Sequence, residues 1–185
     1  AAATAVATRY LARRESRTAT ICGCGEQGRI QLAALRHVLD IRRVFAWDKD
    51  ATVAAGFVDA MSRQHGVEVE SPASLRGATL ESDVIVTCTP AKEAFLAPED
   101  VRAGAFIAAV GADNEEKHEI STALLAASTI VTDSTEQCAK IGDLHHAIEA
   151  GLLTADRVHA ELERPLQIRR HKSVVADDFS SVRMG

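Results

Sequence analysis

The chain has 185 residues, 46% of them hydrophobic, and no apolar run near the roughly twenty residues that span a bilayer, so a globular domain with room for part of a second is expected rather than a membrane protein. Its 21 basic and 26 acidic residues give −5 with no concentrated basic stripe, which argues against a nucleic-acid partner. The start lacks a secretory pattern, and a cytoplasmic location follows by default.

The opening AAATAVATRYLARRESR is alanine-rich and begins without a cap, as though cut from within a longer helix. Val6, Tyr10 and Leu11 are expected along one face, with Arg13 and Arg14 suiting the C-terminal end. TATIC then forms a short strand, and Gly23, Gly25 and Gly28 follow as G-x-G-x-x-G at the turn into a helix, the context in which that pattern has a mechanism. The first glycine permits the tight turn, the second lets a pyrophosphate approach the backbone, and the third lets helix and strand pack closely. Open N–H groups and the helix dipole then hold phosphate charge.

RIQLAALRHVLD places Ile30, Leu32, Leu35, Val38 and Leu39 at helical spacing, and RRVFAWD is a second strand closing on Asp48. An acid there accepts hydrogen bonds from the ribose hydroxyls of an adenine dinucleotide. It also repels a 2′-phosphate, which predicts NAD over NADP, although Lys49 beside it would accept that phosphate. Two other readings share these residues: an ordinary tight turn with Asp48 capping the next helix, and the similar first turn of a methyltransferase that binds an adenosyl sulfonium.

Asp50 can cap a third helix, ATVAAGFVDAMSRQH, stopped by Gly66; VEVE alternates as a short strand and SPASLRGA makes a brief helical turn. SDVIVTCTP is a continuous apolar strand, as suits a parallel strand covered on both faces. Thr87 and Thr89 end it at the carboxyl edge, where an open α/β sheet holds its ligand, so either contact with a cofactor or a plain strand end fits them. Pro98 begins a short helical piece, and AFIAAVGAD is the next buried strand. NEEKHEISTALLAAS is predicted as a helix, TIVTD as a strand, and STEQCAKIG as a helix opened by Ser134 with Gln137 completing a capping box. Two more helices are expected, over Asp143 to Leu153 and over TADRVHAEL.

Strands thus recur between helices six times, which predicts an α/β fold with a Rossmann-type doubly wound parallel sheet flanked by helices over residues 1–162. Residues 163–185 lose periodicity and read as a solvated C-terminal tail. Cys22, Cys24, Cys88 and Cys138 have no zinc-ligand spacing and are expected to be buried thiols, with a reactive Cys24 at the helix N-terminus as the sharper alternative. No metal is expected; of His145 and His146, one ring should be solvated and the other packed.

With these pieces in place the chain resembles the ornithine cyclodeaminase/mu-crystallin family. The resemblance rests on ATRYLARRESRTATICGCGEQG, DVIVTCTP, AVGADNEEKHEI, VTDSTEQCAKIGDL and HKSV, the last matching a Lys-Ser-Val-Gly loop in which Val175 replaces the glycine. It implies NAD, less readily NADP, and hydride chemistry at a carbon–nitrogen bond of a small amino or imino acid. Members include ornithine cyclodeaminases, alanine dehydrogenases and ketimine reductases, while mu-crystallin, which also binds thyroid hormone, supplies the alternative of a ligand-binding protein without turnover. The family's N-terminal substrate and dimerisation domain does not precede Ala1, so the resemblance implies the cofactor half of a homodimer, with the tail returning toward the other domain.

By that match Asp113 is the acid facing the substrate and the expected catalytic residue; capping the following helix is its alternative. Gln27 neighbours the pyrophosphate, and Thr87 and Thr89 the nicotinamide. The remaining expected cofactor contacts are Gly23, Gly25, Glu26 and Gly28 in the turn, Asp48 and Lys49 after the second strand, and Val110 and Gly111 before Asp113. Lys117 and Glu119 also match, but a helix-start ion pair would explain them without chemistry.

Overall fold

Apolar strands buried on both faces need helices on both sides of one sheet, and the computed structural model, which describes residues 1–162 and 174–177, has that arrangement. The strands are β1 (Thr18–Cys22), β2 (Arg43–Trp47), β3 (Glu68–Glu70), β4 (Val84–Thr87), β5 (Phe106–Ala109), β6 (Thr129–Thr132), β7 (Ala160–Glu161) and β8 (Val174–Asp177). The helices are α1 (Ala2–Leu11), α2 (Glu26–Val38), α3 (Ala51–His65), α4 (Leu75–Glu81), α5 (Thr122–Ala127), α6 (Thr135–Cys138) and α7 (Asp143–Glu149). Every strand pairing is parallel, in the order β3-β2-β1-β4-β5-β8-β6-β7. Ile21, Val84, Val86, Phe106 and Ala108 pack with α1, α2 and α3, while Cys22, Ile85, Ile107 and Ala109 pack with α5 and α7. The pleat thus deals successive apolar residues to two helical layers.

From β1 the chain winds outward through β2 and β3, then returns to β4 on the other side of β1. That reversal makes a crevice at the carboxyl ends of β1 and β4, the place where open α/β sheets bind ligands. Local signals act as read: the Asp50 carboxylate accepts the Thr52 N–H at 2.8 Å to cap α3, and Gly66, at φ +61, ends it. Ser74, Ser121 and Ser134 cap α4, α5 and α6. The junctions into β1 and β4 are tied by Asp83, which accepts the backbone N–H groups of Arg17 (2.8 Å) and Thr18 (3.1 Å) and pairs with Arg13 and Arg102.

Four expectations are corrected. The buried face of α1 is Thr4, Ala7, Thr8 and Leu11, an i, i+3, i+4, i+7 stripe, so Val6 and Tyr10 point outward. Residues 113–121 are not helical, and α5 begins only at Thr122. The Asp143 carboxylate accepts the N–H groups of Glu119 (2.7 Å) and Ile120 (2.9 Å), and Ile120 bridges to Leu96; these long-range bonds override the helix formers of NEEKHEI. TADRVHAEL gives one 3-10 turn, Ala155–Arg157, and then β7, because His159 and Leu162 donate their N–H groups to Ile130 and Thr132 of β6. Val174–Asp177 is no solvated tail but β8, inserted between β5 and β6, with Val175 fully buried. The return of the remaining tail toward another domain lies outside the described residues.

Gly28 is the most crowded of the described glycines, since an added Cβ would overlap the Gly23 carbonyl oxygen and come within 3.1 Å of Ile21 Cγ2. Gly28→Ala should therefore destabilise by about 1–3 kcal/mol from overpacking, outweighing the about 0.5–1 kcal/mol that alanine gains inside a helix. Thermal denaturation should show a melting point several degrees lower; an unchanged or raised value would contradict this packing.

Candidate functional site

Gly23 follows β1 at φ +99, a conformation glycine adopts without strain, and donates its N–H to the Trp47 carbonyl at 2.9 Å. A Cβ there would lie 2.6 Å from the Cys88 carbonyl oxygen at the end of β4. Gly25, the N-cap of α2, is different: nothing lies within 4 Å of its Cβ position and no side chain caps the helix. The three glycines thus divide into two that are crowded by backbone and one that faces open space. Glu26 and Gln27 are exposed on the first turn of α2.

Two clefts flank this turn. The first, about 400 Å³ and almost wholly apolar, is lined by Gly23, Trp47, Asp48, Lys49, Thr89, Pro90, Ala91 and Phe95. The Trp47 and Phe95 rings are 5.4 Å apart there. Asp48 does not cap α3; its carboxylate accepts the N–H groups of Cys24 (2.9 Å) and Asp50 (3.0 Å), joining the glycine turn to the end of β2. The second cleft, about 500 Å³ and polar, is lined by Gln27, Cys88, Thr89, Pro90, Val110, Gly111, Asp113 and Lys117. Thr89 belongs to both. The structure therefore brings together Gly23, Asp48 and Lys49 on one side and Gln27, Val110, Gly111 and Asp113 on the other. Thr87 is fully buried and lines neither cleft, with Glu119 beside it.

Asp113 lies beyond β5, half exposed, with Oδ1 2.6 Å from Lys117 Nζ. It caps no helix, and the turn after it is held by Asn114, whose side-chain oxygen accepts the N–H groups of Glu116 and Lys117 at 3.0 Å each. Glu119 does not pair with Lys117. It is fully buried and accepts the Thr89 N–H and hydroxyl at 2.6 Å each and the Gly111 N–H at 2.9 Å. Burial pushes its carboxyl above the usual range, opposed by those hydrogen bonds. The helix-start ion pair of Lys117 and Glu119 is not formed, and the signal for a different role was Glu119's place in the Lys-x-Glu match. Nearby, His118 and His146 stack at 4.2 Å and His146 Nε2 lies 2.8 Å from the Lys117 carbonyl. His145 and His146 are both half-buried, so neither is simply solvated.

A reactive Cys24 is corrected. The residue is buried, and desolvation with Asp48 alongside pushes its thiol up to about 12, against any help from the helix N-terminus. Burial also raises the Cys22 and Cys88 thiols, with Glu119 next in effect, and Cys88 Sγ lies 3.3 Å from the Cys22 and Gly23 carbonyl oxygens.

Comparison with known proteins follows the same lines. A model described as the ornithine cyclodeaminase/mu-crystallin family matches residues 1–167. A putative dehydrogenase of Rhizobium meliloti (strain 1021) is 37% identical over 183 residues, 96% of this chain and 56% of that protein. The structure of Thermococcus litoralis Delta(1)-pyrroline-2-carboxylate reductase in complex with NADH and L-proline superposes with a TM-score of 0.89 at 29% identity, over 94% of this chain and 56% of that one. An archaeal alanine dehydrogenase dimer with bound NAD gives 0.89 at 31% identity, over 95% and 56%. The chain spans about half the length of the curated relatives it matches.

The thiol geometry makes a direct prediction. At pH 8 a thiol near 12 is about one part in 10⁴ thiolate, against about a quarter for an ordinary cysteine. Folded protein should show no thiol reacting with an aromatic disulfide reagent within minutes, and all four cysteines should react once it is denatured. A fast thiol mapped to Cys24 would reverse the correction.

Proposed function

The chain belongs to the ornithine cyclodeaminase/mu-crystallin family, and on that premise we propose that it is the NAD-binding part of an enzyme that moves hydride at the carbon–nitrogen bond of a small amino or imino acid. The observation that carries the proposal is the pair of unlike clefts meeting at Thr89, above an uncapped helix N-terminus. A dinucleotide needs an apolar slot for adenine, a carboxylate for ribose hydroxyls, open backbone N–H groups for the pyrophosphate and a polar cleft for the nicotinamide and substrate. Trp47 and Phe95, Asp48, the Gly25 end of α2, and the Gly111–Asp113 cleft provide these in that order along one edge of the sheet. The fit is supported by two relatives solved with NADH or NAD bound.

When bound, the nicotinamide supplies the hydride acceptor or donor. The chain's own part is to bind, orient and move protons. Gly25 leaves space for phosphate at the α2 N-terminus, and Gly111 leaves room for the Glu119 carboxylate behind the cleft. The Asp113 carboxylate takes a proton from the substrate's amino group, or steadies its charge, as the carbon–nitrogen bond changes order. Lys117 keeps that carboxylate in place before a substrate ammonium takes over the pairing. The proposal extends to a cytoplasmic homodimer, paired through sequence outside these 185 residues, as the archaeal relative is a dimer.

Calorimetry tests the cofactor assignment. Wild type should bind NAD more tightly than NADP, and Gly25→Val should abolish NAD binding while changing stability by no more than about 1 kcal/mol, since an added Cβ has no described atom within 4 Å. Undiminished binding by that variant would remove the pyrophosphate from the turn. For the chemistry, Asp113→Asn in the full-length protein should lower turnover of its amino or imino acid by about 10²–10⁴, with stability within about 1 kcal/mol because only an exposed ion pair is lost. Unchanged turnover would take Asp113 out of the mechanism.

A further inference from the structure

The side chain that organises the polar cleft is neither of its open carboxylates. Glu119 sits behind the cleft, fully buried, and its two oxygens reach two different strand ends. One accepts both the N–H and the hydroxyl of Thr89, just past β4; the other accepts the N–H of Gly111, just past β5. The Thr89 hydroxyl's single donor is thereby used, and its oxygen also accepts the Ala91 N–H at 3.2 Å. Its proton points at Glu119 rather than into either cleft. Gly111 is a glycine for the same reason: a Cβ there would stand 2.5 Å from the Glu119 carboxylate. The Glu119 main chain is itself pinned, because Asp143, also fully buried, accepts its N–H and that of Ile120. Asp113 hangs from this frame through its N–H bond to the Gly111 carbonyl at 3.0 Å.

We infer that Glu119 is a positioning residue for the proposed reaction: by bridging Thr89 and Gly111 it fixes the separation of the β4 and β5 ends, and so the placement of the nicotinamide end of the cofactor relative to Asp113. The inference rests on the functional reading above, and goes beyond it by giving a buried side chain that touches neither substrate nor cofactor control over their alignment. Hydride transfer is sensitive to such alignment; a displacement of about 1 Å costs of order 10²-fold in rate. A fully buried carboxylate with three donors on it is costly to place, and those three bonds run to Thr89 and Gly111, both of which line the cleft.

The test uses the full-length protein with Glu119→Gln, which puts an N–H₂ group against one of the three donors, and Glu119→Asp, whose shorter side chain cannot span both strand ends. Binding is compared for NAD and for ADP-ribose, which lacks the nicotinamide, and all values are taken per folded molecule. The expected result is NAD affinity reduced about tenfold with ADP-ribose affinity within threefold of wild type, and kcat reduced at least tenfold with the amino-acid KM within threefold. Equal losses for NAD and ADP-ribose with unchanged kcat would overturn the proposal and leave Glu119 as a fold residue. If both variants fail to fold, Gly111→Ala moves the same carboxylate from the other side, at a backbone conformation alanine tolerates. It should give the same split between NAD and ADP-ribose, and wild-type behaviour would overturn the proposal. Should wild type bind NAD but turn over no amino or imino acid, the functional reading fails, while the NAD to ADP-ribose comparison still decides the role of Glu119.

Discussion

Where β1 turns into α2, three strand ends press on one another through backbone alone. The Gly23 N–H meets the Trp47 carbonyl at the end of β2, the Gly23 Cα faces the Cys88 carbonyl after β4, and Gly28 folds α2 back onto the Gly23 carbonyl. No rotamer change can relieve a contact of this kind, since the neighbours are main chain held in a close-packed interior. The spacing of β1, β2 and β4 at their carboxyl ends is therefore set before any side chain is chosen. Both clefts open at that edge, and Gly25, which escapes the crowding, faces outward between them.

The second constraint is electrostatic. Glu119 and Asp143 are fully buried carboxylates, which an apolar interior tolerates only when donors surround them. Backbone N–H groups supply those donors at Thr89 and Gly111 for Glu119, and at Glu119 and Ile120 for Asp143. The two acids form a relay of hydrogen bonds from α7 to the ends of β4 and β5. The same low-dielectric surroundings explain the inert thiols, for burial and the nearby Glu119 raise Cys22 and Cys88, with no cation among the described residues lowering them.

The first half of the chain was legible because its signals are local. Glycine spacing, the Asp50 cap and the Gly66 stop each act within a few residues of where they are written, whereas the apolar face of α1 was misplaced and Ile30 of α2 is exposed. The second half depends on partners far away in sequence. NEEKHEI has good helix formers, but Asn114 turns its start and Asp143 and Leu96 hold its end, Glu119 and Ile120, out of a helix. VVAD is too short to announce a strand, and becomes one only in the gap between β5 and β6. The role of Glu119 could not be read for the same reason: its match was visible, but an acid two residues from a lysine also suits a helix-start ion pair until Thr89 and Gly111 are brought against it.

Within the proposed function the two open carboxylates are prepared in opposite ways. Asp48 accepts N–H groups from Cys24 and Asp50, so its orientation is fixed by the main chain before a ligand arrives. A carboxylate offers about four lone-pair sites, leaving room for ribose hydroxyls to join without displacing anything and with little ordering cost. Asp113 instead is paired with Lys117 on a partly exposed loop, and an arriving ammonium must replace that pairing. A fixed acceptor suits a cofactor that is bound the same way in every cycle. An exchangeable ion pair suits a substrate that must enter, change its protonation and leave, and the division between the two runs through Thr89, the residue that Glu119 holds.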